Sequence, residues 1–553
     1  MRRLLRVPQQ SRRWAVNSPD MRHRIIIIGF TMNHDTVEVD IPPDFRRDHS
    51  RAAADSSARR GSHVSPILAA LACSLLVGCA VGPDFEKPAA PAVSGYTATP
   101  LSTTVASTGV SGGEAQRFIR GSDIPGDWWT LFHSPQINAL IEQSLKNNPN
   151  LKAAEAALRV AHENVLAQRG AYYPSVTAGF TASRQQQPGS LAPVPSNNAL
   201  QYDLFTPQVS VSYSPDIFGL NRRTGESIQA QEQAVRFQLI AADITLSTNV
   251  VAAMVQLAAL RAQIAATHQL IDSDTNIVQI VRYQWTKGYA SRLDLAAQET
   301  QLAQAAATLP PLLKQLAAQR DLLAVLVGQF PSETLADNFE LASLQLPQDL
   351  PVSLPSVLVA QRPDVLQAEA NMHAASAQIG IAVANRLPNI QLTANAGSTA
   401  LAIGQVFGPG TGFWSLAGAI AAPIFDGGTL LHQERGARAA YDQAAQQYRA
   451  TVLTAFQNVA DTLTALEQDA ASLKAAASAA DAAKLTLDLS ERQYKDGYAS
   501  YQALLTAQQA YQQTRIGLVQ AQANRFADTA ALFQALGGGW WHRTDLAGDA
   551  HEQ

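Results

Sequence analysis

The sequence predicts a mainly helical fold that carries a membrane β-barrel, written as a duplicated unit of one strand hairpin and one long helix hairpin. Three observations lead there. Asn148-Pro149-Asn150-Leu151 returns as Arg362-Pro363-Asp364-Val365 at an offset of 214, and Gly288-Tyr289-Ala290-Ser291 returns as Gly497-Tyr498-Ala499-Ser500 at an offset of 209. Two runs, 223–285 and 429–495, hold no proline and almost no interior glycine, and are rich in Ala, Gln, Leu and Val at three and four spacing. Four short segments alternate apolar with small or polar residues beside prolines. A duplication of this length directs the search for function to a pseudo-symmetric architecture before a catalytic pocket.

The repeat continues without a gap through Ala154-Glu155 onto Ala368-Glu369, Ala161 onto Ala375, Val165 onto Ile379 and Pro174 onto Pro388, and Gly328 meets Gly537. The 553 residues carry a formal charge of -4, and residues 1–60 hold twelve Arg against seven acidic residues, so the remainder is more acidic still. That balance argues against nucleic acid as a partner of the main body.

From the N-terminus, residues 1–58 are polar and Arg-rich, and are expected to be disordered or to reflect a start codon assigned too far upstream. Arg59-Arg60 and the apolar run Pro66–Gly78 read as a secretory signal over 59–78, too short for a confident membrane span. The two cysteines, Cys73 and Cys79, lie at the end of this run, which argues against a structural disulfide, a zinc cluster or thiol catalysis. Leu76-Val77-Gly78-Cys79 resembles a bacterial lipobox, so Cys79 would be acylated and become the mature N-terminus; the alternative is an ordinary cleavage site beside an incidental cysteine. Each buried acyl methylene is worth about 0.8 kcal/mol, and several chains on one cysteine would hold the protein to a bilayer. Ala80 follows where an Asp would oppose delivery to the outer membrane. Residues 79–134 are then a lipidated extended segment, 135–329 the first repeat, 330–360 a linker, 361–539 the second repeat and 540–553 a tail.

Beyond the signal no stretch approaches eighteen consecutive apolar residues, so any passage through a bilayer must use closed β structure. Ser175–Ser183 places Val176, Ala178, Phe180 and Ala182 on one face and Thr177, Gly179 and Thr181 on the other. Gln208–Ser214, Ile390–Gly397 and, more vaguely, Phe413–Ile420 alternate in the same way. An apolar outer face and a small polar inner face suit a water-filled barrel, although a soluble sheet edge alternates similarly. Pro174, Pro215, Pro388 and Pro423 bound the strands, and Pro, Gly and Ser rich connections over 184–203 and 398–412 read as hairpin loops. Four strands are too few to close a membrane barrel, which starts at about eight, so the wall must be shared between chains.

The helical runs that follow each hairpin would reach on the order of 95 Å at about 1.5 Å per residue. Alanines such as Ala440, Ala444 and Ala445 would allow close helix approach. Both runs stop at a repeated glycine, with Ser291 and Ser500 placed to cap the returning helix.

The chain resembles the TolC-like outer membrane factors, the outer-membrane efflux-channel family, and within it the NodT-type lipoprotein branch. The resemblance is carried by Cys79-Ala80-Val81-Gly82-Pro83-Asp84-Phe85 with Pro88, by Trp128-Trp129, Phe132, Pro135, Leu140-Ile141 and Asn148-Pro149, and in the second half by Arg362-Pro363-Asp364-Val365, Ala368-Glu369, Ile379-Gly380, Pro388 and Pro423-Ile424-Phe425-Asp426-Gly427-Gly428. It covers residues 79–539. It implies a homotrimer with a twelve-stranded β-barrel continued by a twelve-helix α-barrel, acting as the passive exit duct of a tripartite pump for small molecules such as drugs or toxic compounds. A periplasmic adaptor and an inner-membrane RND-type transporter would be the partners, outer-membrane lipid the surroundings, and the covalent lipid on Cys79 the only attached group.

The resemblance also implies a gate and an adaptor contact at the tips: Gly288, Tyr289, Ala290, Ser291, Arg292 and Asp294, and Gly497, Tyr498, Ala499, Ser500 and Gln502. Ala503 and Thr506 stand where some relatives place acidic rings, and Ala499 where an arginine occurs, so a neutral gate of Tyr498, Gln502 and their neighbours is expected, with Asp294 linked to Arg292 or Lys495.

Enzymatic readings find little. Gly408-Pro409-Gly410-Thr411-Gly412 lacks the helix a phosphate loop requires, His432 and Glu434 lack a further ligand, and neither HExxH nor a nucleophile elbow is present. The remaining alternative is a periplasmic helical-hairpin scaffold or adaptor lipoprotein.

Overall fold

The structure is a computed structural model that describes residues 80–186, 201–333 and 339–547. The expectations for 1–58, for the signal over 59–78 and for Cys79 lie outside the described residues, as do 187–200 of the first hairpin loop, 334–338 of the linker and the end of the tail.

The elements run β1 (Arg117–Arg120), α1 (Pro135–Asn147), α2 (Pro149–Arg169), β2 (Ser175–Gln186), β3 (Gln201–Tyr213), α3 (Leu220–Thr286), α4 (Arg292–Leu326), β4 (Asp349–Val352), α5 (Pro355–Gln361), α6 (Pro363–Ala384), β5 (Asn389–Ser398), β6 (Gly412–Ala421), α7 (Thr429–Lys495), α8 (Tyr501–Ala535) and α9 (Thr544–Ala547). Duplication is visible in the lengths: α3 and α7 are both 67 residues, α4 and α8 both 35, and α2 and α6 are 21 and 22. At about 1.5 Å per residue the 67-residue helices span about 100 Å.

The repeated Asn148-Pro149 and Arg362-Pro363 pairs mark one structural event written in two chemistries. Proline opens each helix because its missing N–H falls among donors that have no helical partner. Asn148 Oδ1 accepts from the N–H groups of Asn150 and Leu151, and its Nδ2 donates 2.9 Å to the Leu326 carbonyl, the last of α4. Arg362 Nη1 donates 2.7 Å to the Ala535 carbonyl, the last of α8. Each repeat therefore ties the end of its returning helix to the start of its short one. Gly328 and Gly537 follow those ends at φ 76° and 100°, and an added Cβ would meet the Asn147 or Gln361 carbonyl oxygen at 2.7 and 3.1 Å. Both the turn and the close approach require glycine.

The four long strands form one antiparallel sheet in the order β2-β3-β5-β6, so the two repeats meet edge to edge at β3 and β5. All four strands lie where the alternation placed them, but β3 begins at Gln201, inside the stretch assigned to a loop, and runs through Pro207. Phe205 bridges to Ala400 and the β5 ladder resumes at Gln208, so Pro207, paired with Phe180 of β2, falls in a break between the two, a position that tolerates the missing N–H.

One core binds both repeats midway along the helices. Trp128, Phe132, Ile137 and Ile141 pack there against Val250–Leu260 of α3, Leu323 of α4, Phe526 and Phe533 of α8, and Phe339, Leu341 and Leu350 of the linker. Sequence alternation did not reveal β1 and β4, which pair in parallel across this belt with Phe118 opposite Leu350. One eighteen-residue window of α3 is long and apolar enough to cross a membrane, contrary to the expectation from unbroken apolar runs; 61 % of that window is buried inside the fold, and α3 supplies Val250–Leu260 to the belt.

Candidate functional site

Two regions stand at opposite ends of the long helices: the strand sheet and the helical tips. In the sheet, register aligns side chains of one kind across all four strands. Val176, Val211, Ala394 and Leu416 form one row, and Ala178, Val209, Ala396 and Trp414 the next, all on one face. Leu416 and Trp414 are 76 % and 79 % exposed, so this apolar face has no cover among the described residues. The opposite face carries Thr177, Ser210, Asn395 and Ser415 in one row, with Asn395 Nδ2 donating 3.3 Å to Ser415 Oγ. Gln391 Nε2 likewise donates 3.1 Å to Ser212 Oγ. Among the described residues, β2 and β6 each pair along one edge only. An open edge beside an exposed apolar face is an incomplete wall.

The tips are near copies. At the first, Tyr289 N–H donates 2.8 Å to Gln284 O and Gly288 N–H 3.0 Å to Trp285 O. At the second, Tyr498 N–H donates 2.8 Å to Gln493 O and Gly497 N–H 3.1 Å to Tyr494 O. Gly288 and Gly497 both sit at φ 79°, the left-handed residue this helix ending needs. Tyr289 and Tyr498 then project into solvent at 84 % and 87 % exposure. Ser291 and Ser500 cap α4 and α8, accepting from Asp294 N–H and Ala503 N–H. Ala290 is half-buried against the tip core of Ile277, Val278, Val281, Leu295 and Leu504, whereas Gln502 is exposed.

Asp294 does not form the link expected with Arg292 or Lys495. Its carboxylate accepts 2.7 Å from Ser291 Oγ and 2.9 Å from Ser291 N–H, and these bonds hold its pKa below the usual carboxylate value. Arg292 lies over the Trp285 ring at 5.4 Å, and Arg282 pairs with Glu299 at 2.8 Å across the α3–α4 hairpin. A capping carboxylate three residues into a helix satisfies local backbone donors, which outcompete a mobile exposed cation.

Just behind this tip lies a polar layer that sequence reasoning missed. Asp274, Gln298, Tyr501 and Gln508, from α3, α4 and α8, all bury side-chain polar atoms with no hydrogen-bond partner among the described residues. Burial pushes the Asp274 carboxyl up to about 6, and burial together with the Asp274 charge raises Tyr501. A carboxyl raised above its ordinary value of about 3.9 binds its proton more tightly folded than unfolded, so the tip loses stability as pH rises from about 4 to about 6 and changes little above that. Asp274→Asn is expected to abolish this loss, measured as protection of 270–281 and 501–508 against hydrogen exchange, corrected for intrinsic rates, between pH 4.5 and 7.5.

The other motifs resolve into structure. Gly410 is a turn glycine at φ 81° leading into β6, and Glu434 is occupied by Arg386 and by Arg438, the latter at 2.9 Å. Among the described residues no group of three or more His, Cys, Asp or Glu could hold a metal ion.

Comparison with known proteins gives this geometry its family. The model of the family described as outer membrane efflux protein matches residues 140–329 and 354–538, the two repeats. The chain belongs to the outer membrane efflux protein family. It is 30 % identical over 488 residues to the probable efflux pump outer membrane protein TtgC of Pseudomonas putida, covering 88 % of this chain and 97 % of that one. It is 29 % identical over 482 residues to the outer membrane protein OprJ of Pseudomonas aeruginosa, covering 86 % and 96 %. The solved open state of the Neisseria gonorrhoeae MtrE outer membrane channel matches with a TM-score of 0.71 at 25 % identity, covering 84 % of this chain and all of that one. The VceC outer membrane protein of Vibrio cholerae matches with 0.69 at 26 %, covering 76 % and 100 %. The protein is thus a TolC-like outer-membrane efflux channel of Gram-negative type, a transport duct and not an enzyme. The scaffold or adaptor reading falls with this result.

Proposed function

We propose that this efflux channel is a lipid-anchored homotrimer serving as the passive exit duct of a tripartite pump. Three four-stranded sheets joined at their β2 and β6 edges give twelve strands, enough to close a membrane barrel. The long helices would continue the duct through the periplasm, and the tips would meet a periplasmic adaptor and an RND-type inner-membrane transporter. Acylation of Cys79 would add a membrane anchor. Relatives named for toluene efflux, antibiotic efflux and pyoverdine export support small or toxic molecules as cargo.

The single observation that carries the reading is the pair of unmatched sheet edges flanking a continuous exposed apolar face. The decisive experiment takes the purified protein in detergent. A heat-modifiable trimer that conducts ions across a planar bilayer is the expected result, and a monomer that conducts nothing overturns the reading. The tip residues Gly288 to Arg292, Asp294, Gly497 to Ser500 and Gln502 are proposed as gate and adaptor contact, with Tyr498 and Gln502 forming a neutral constriction. Asp294→Ala, by loosening the α4 cap, is expected to raise closed-state leakage in single-channel recordings; unchanged leakage removes Asp294 from the gate.

A further inference from the structure

The first described residues, 80–85, lie in a polar clamp built from both repeats. Val81 N–H donates 3.1 Å to the Phe218 carbonyl, and Ala80 sits against Gly219, where an added Cβ would approach Ala80 Cα to 2.7 Å. Gly82, at φ 95°, leaves so little room that a Cβ there would lie 2.4 Å from Gly380 Cα of α6. A Cβ on Gly380 would in turn strike Arg223 Cγ at 2.7 Å. Arg223 of α3 is only 4 % exposed. Its guanidinium donates to Val81 O at 3.0 Å, Gly82 O at 3.3 Å, Asp84 Oδ1 at 2.8 Å and Glu226 Oε2 at 2.8 Å. Glu226 Oε1 faces His373 Nε2 of α6 at 2.9 Å, and the His373 ring stacks on Phe85 at 4.4 Å.

Burying a guanidinium is costly unless its donors are matched, and a planar five-donor fork does what an ammonium cannot. Here two of the matches are carbonyls of an irregular segment, not of a helix or strand, so the side chain serves to fix the path of that segment. The path ends at the Phe218–Gly219 turn, immediately below the end of β3, which is the foot of the sheet. Ala80, the first described residue, therefore lies at that foot. With the cluster released, the Lys87–Glu369 pair, then Arg120 Nη2 on the Ser94 carbonyl and Tyr96 Oη on the Ser353 carbonyl are the next ties along the strap. The chain from 79 to 96 reaches up to about 60 Å when extended.

We propose that Arg223, with Glu226 and His373, is the positioning clamp of the membrane anchor, holding residues 80–85 so that an acyl group on Cys79 enters the bilayer at the foot of β3. This rests on the lipid-anchor reading of Cys79. Because Arg223 and Glu226 belong to the first repeat and Gly380 and His373 to the second, the strap also fastens the anchor to the contact between the repeats.

The test uses the full-length channel in nanodiscs containing headgroup spin-labelled lipid, with bimane on Glu86→Cys or, as control, on Ile217→Cys. Two variants attack the clamp from opposite sides: Arg223→Met, and the strap variant Asp84→Asn with Phe85→Ala. Both are expected to speed exchange of the Val81 amide at least about tenfold, since a lost hydrogen bond to a charged group is worth that much. Both should also broaden bimane quenching at residue 86 while quenching at 217 and the trimer stay as they were. Unchanged exchange and quenching in both variants overturns the clamp. The mass of the N-terminal peptide separates the two ideas: an acylated Cys79 with an unmoved strap refutes the clamp alone, whereas an unmodified Cys79 removes the anchor reading and the clamp's role with it.

Discussion

Leu416→Arg is expected to prevent the chain from accumulating as a trimer in the outer membrane. Leu416 is the last member of the row that Val176, Val211 and Ala394 begin, and its neighbour row ends at Trp414. An arginine on the lipid face of a membrane barrel costs about 2–4 kcal/mol near the midplane, and threefold symmetry would impose that cost on each copy. Ser415→Arg, one residue away, is the informative control. Its side chain belongs to the row of Thr177, Ser210 and Asn395, so the trimer should form and the reversal potential in a salt gradient should shift toward anions. Outer-membrane fractionation with unheated gel mobility reads the first outcome, and planar-bilayer recording the second. If the two variants behave alike, the two faces of the sheet have been assigned wrongly.

What could be read from the sequence was whatever local chemistry decides. Alternation located β2, β3, β5 and β6 because side chains in a strand change face at every residue, and glycine followed by serine located both tips because one residue had to adopt positive φ and another had to cap. Apart from Asp294, what was missed was set by partners distant in sequence. Pro207 lay outside the strand read from alternation, yet β3 runs through it, because its missing N–H falls in the break between the Phe205–Ala400 bridge and the β5 ladder. The link expected for Asp294 lost to its own Ser291, a competition that spacing alone would have revealed, since Ser and Asp three apart form a capping box. Arg223 and Glu226 stand i,i+3 at the start of α3, but the partners that give them a role are remote: Val81, Gly82 and Asp84 lie about 140 residues earlier and His373 about 150 later. Asp274 and its unpaired neighbours became recognisable only once three helices were brought together.

Trp128→Ala should have the largest effect on stability. The sequence marked Trp128-Trp129 and Phe132 as family residues without a role; the structure makes them the hub of the equatorial belt. Trp128 is fully buried, stacked on Phe533 of α8 with ring centroids 5.2 Å apart, and edge-to-face with Trp129 and Phe132 at centroid distances of 5.9 and 6.4 Å. Removing a buried tryptophan side chain costs about 3–5 kcal/mol, partly for lost transfer and partly for the cavity left behind. The damage should be regional, because the sheet and the tips have their own contacts and a chain of this length need not unfold as one unit. Around Trp128 the belt gathers the ends of both returning helices, held by Asn148 on Leu326 O and Arg362 on Ala535 O, and the linker strand β4 paired with β1. Loosening the hub should therefore expose residues 339–352 to protease and speed their amide exchange, while protection at 277–281 and in the sheet persists. Uniform loss of protection throughout would show instead that the belt is the keystone on which both the sheet and the helical hairpins depend.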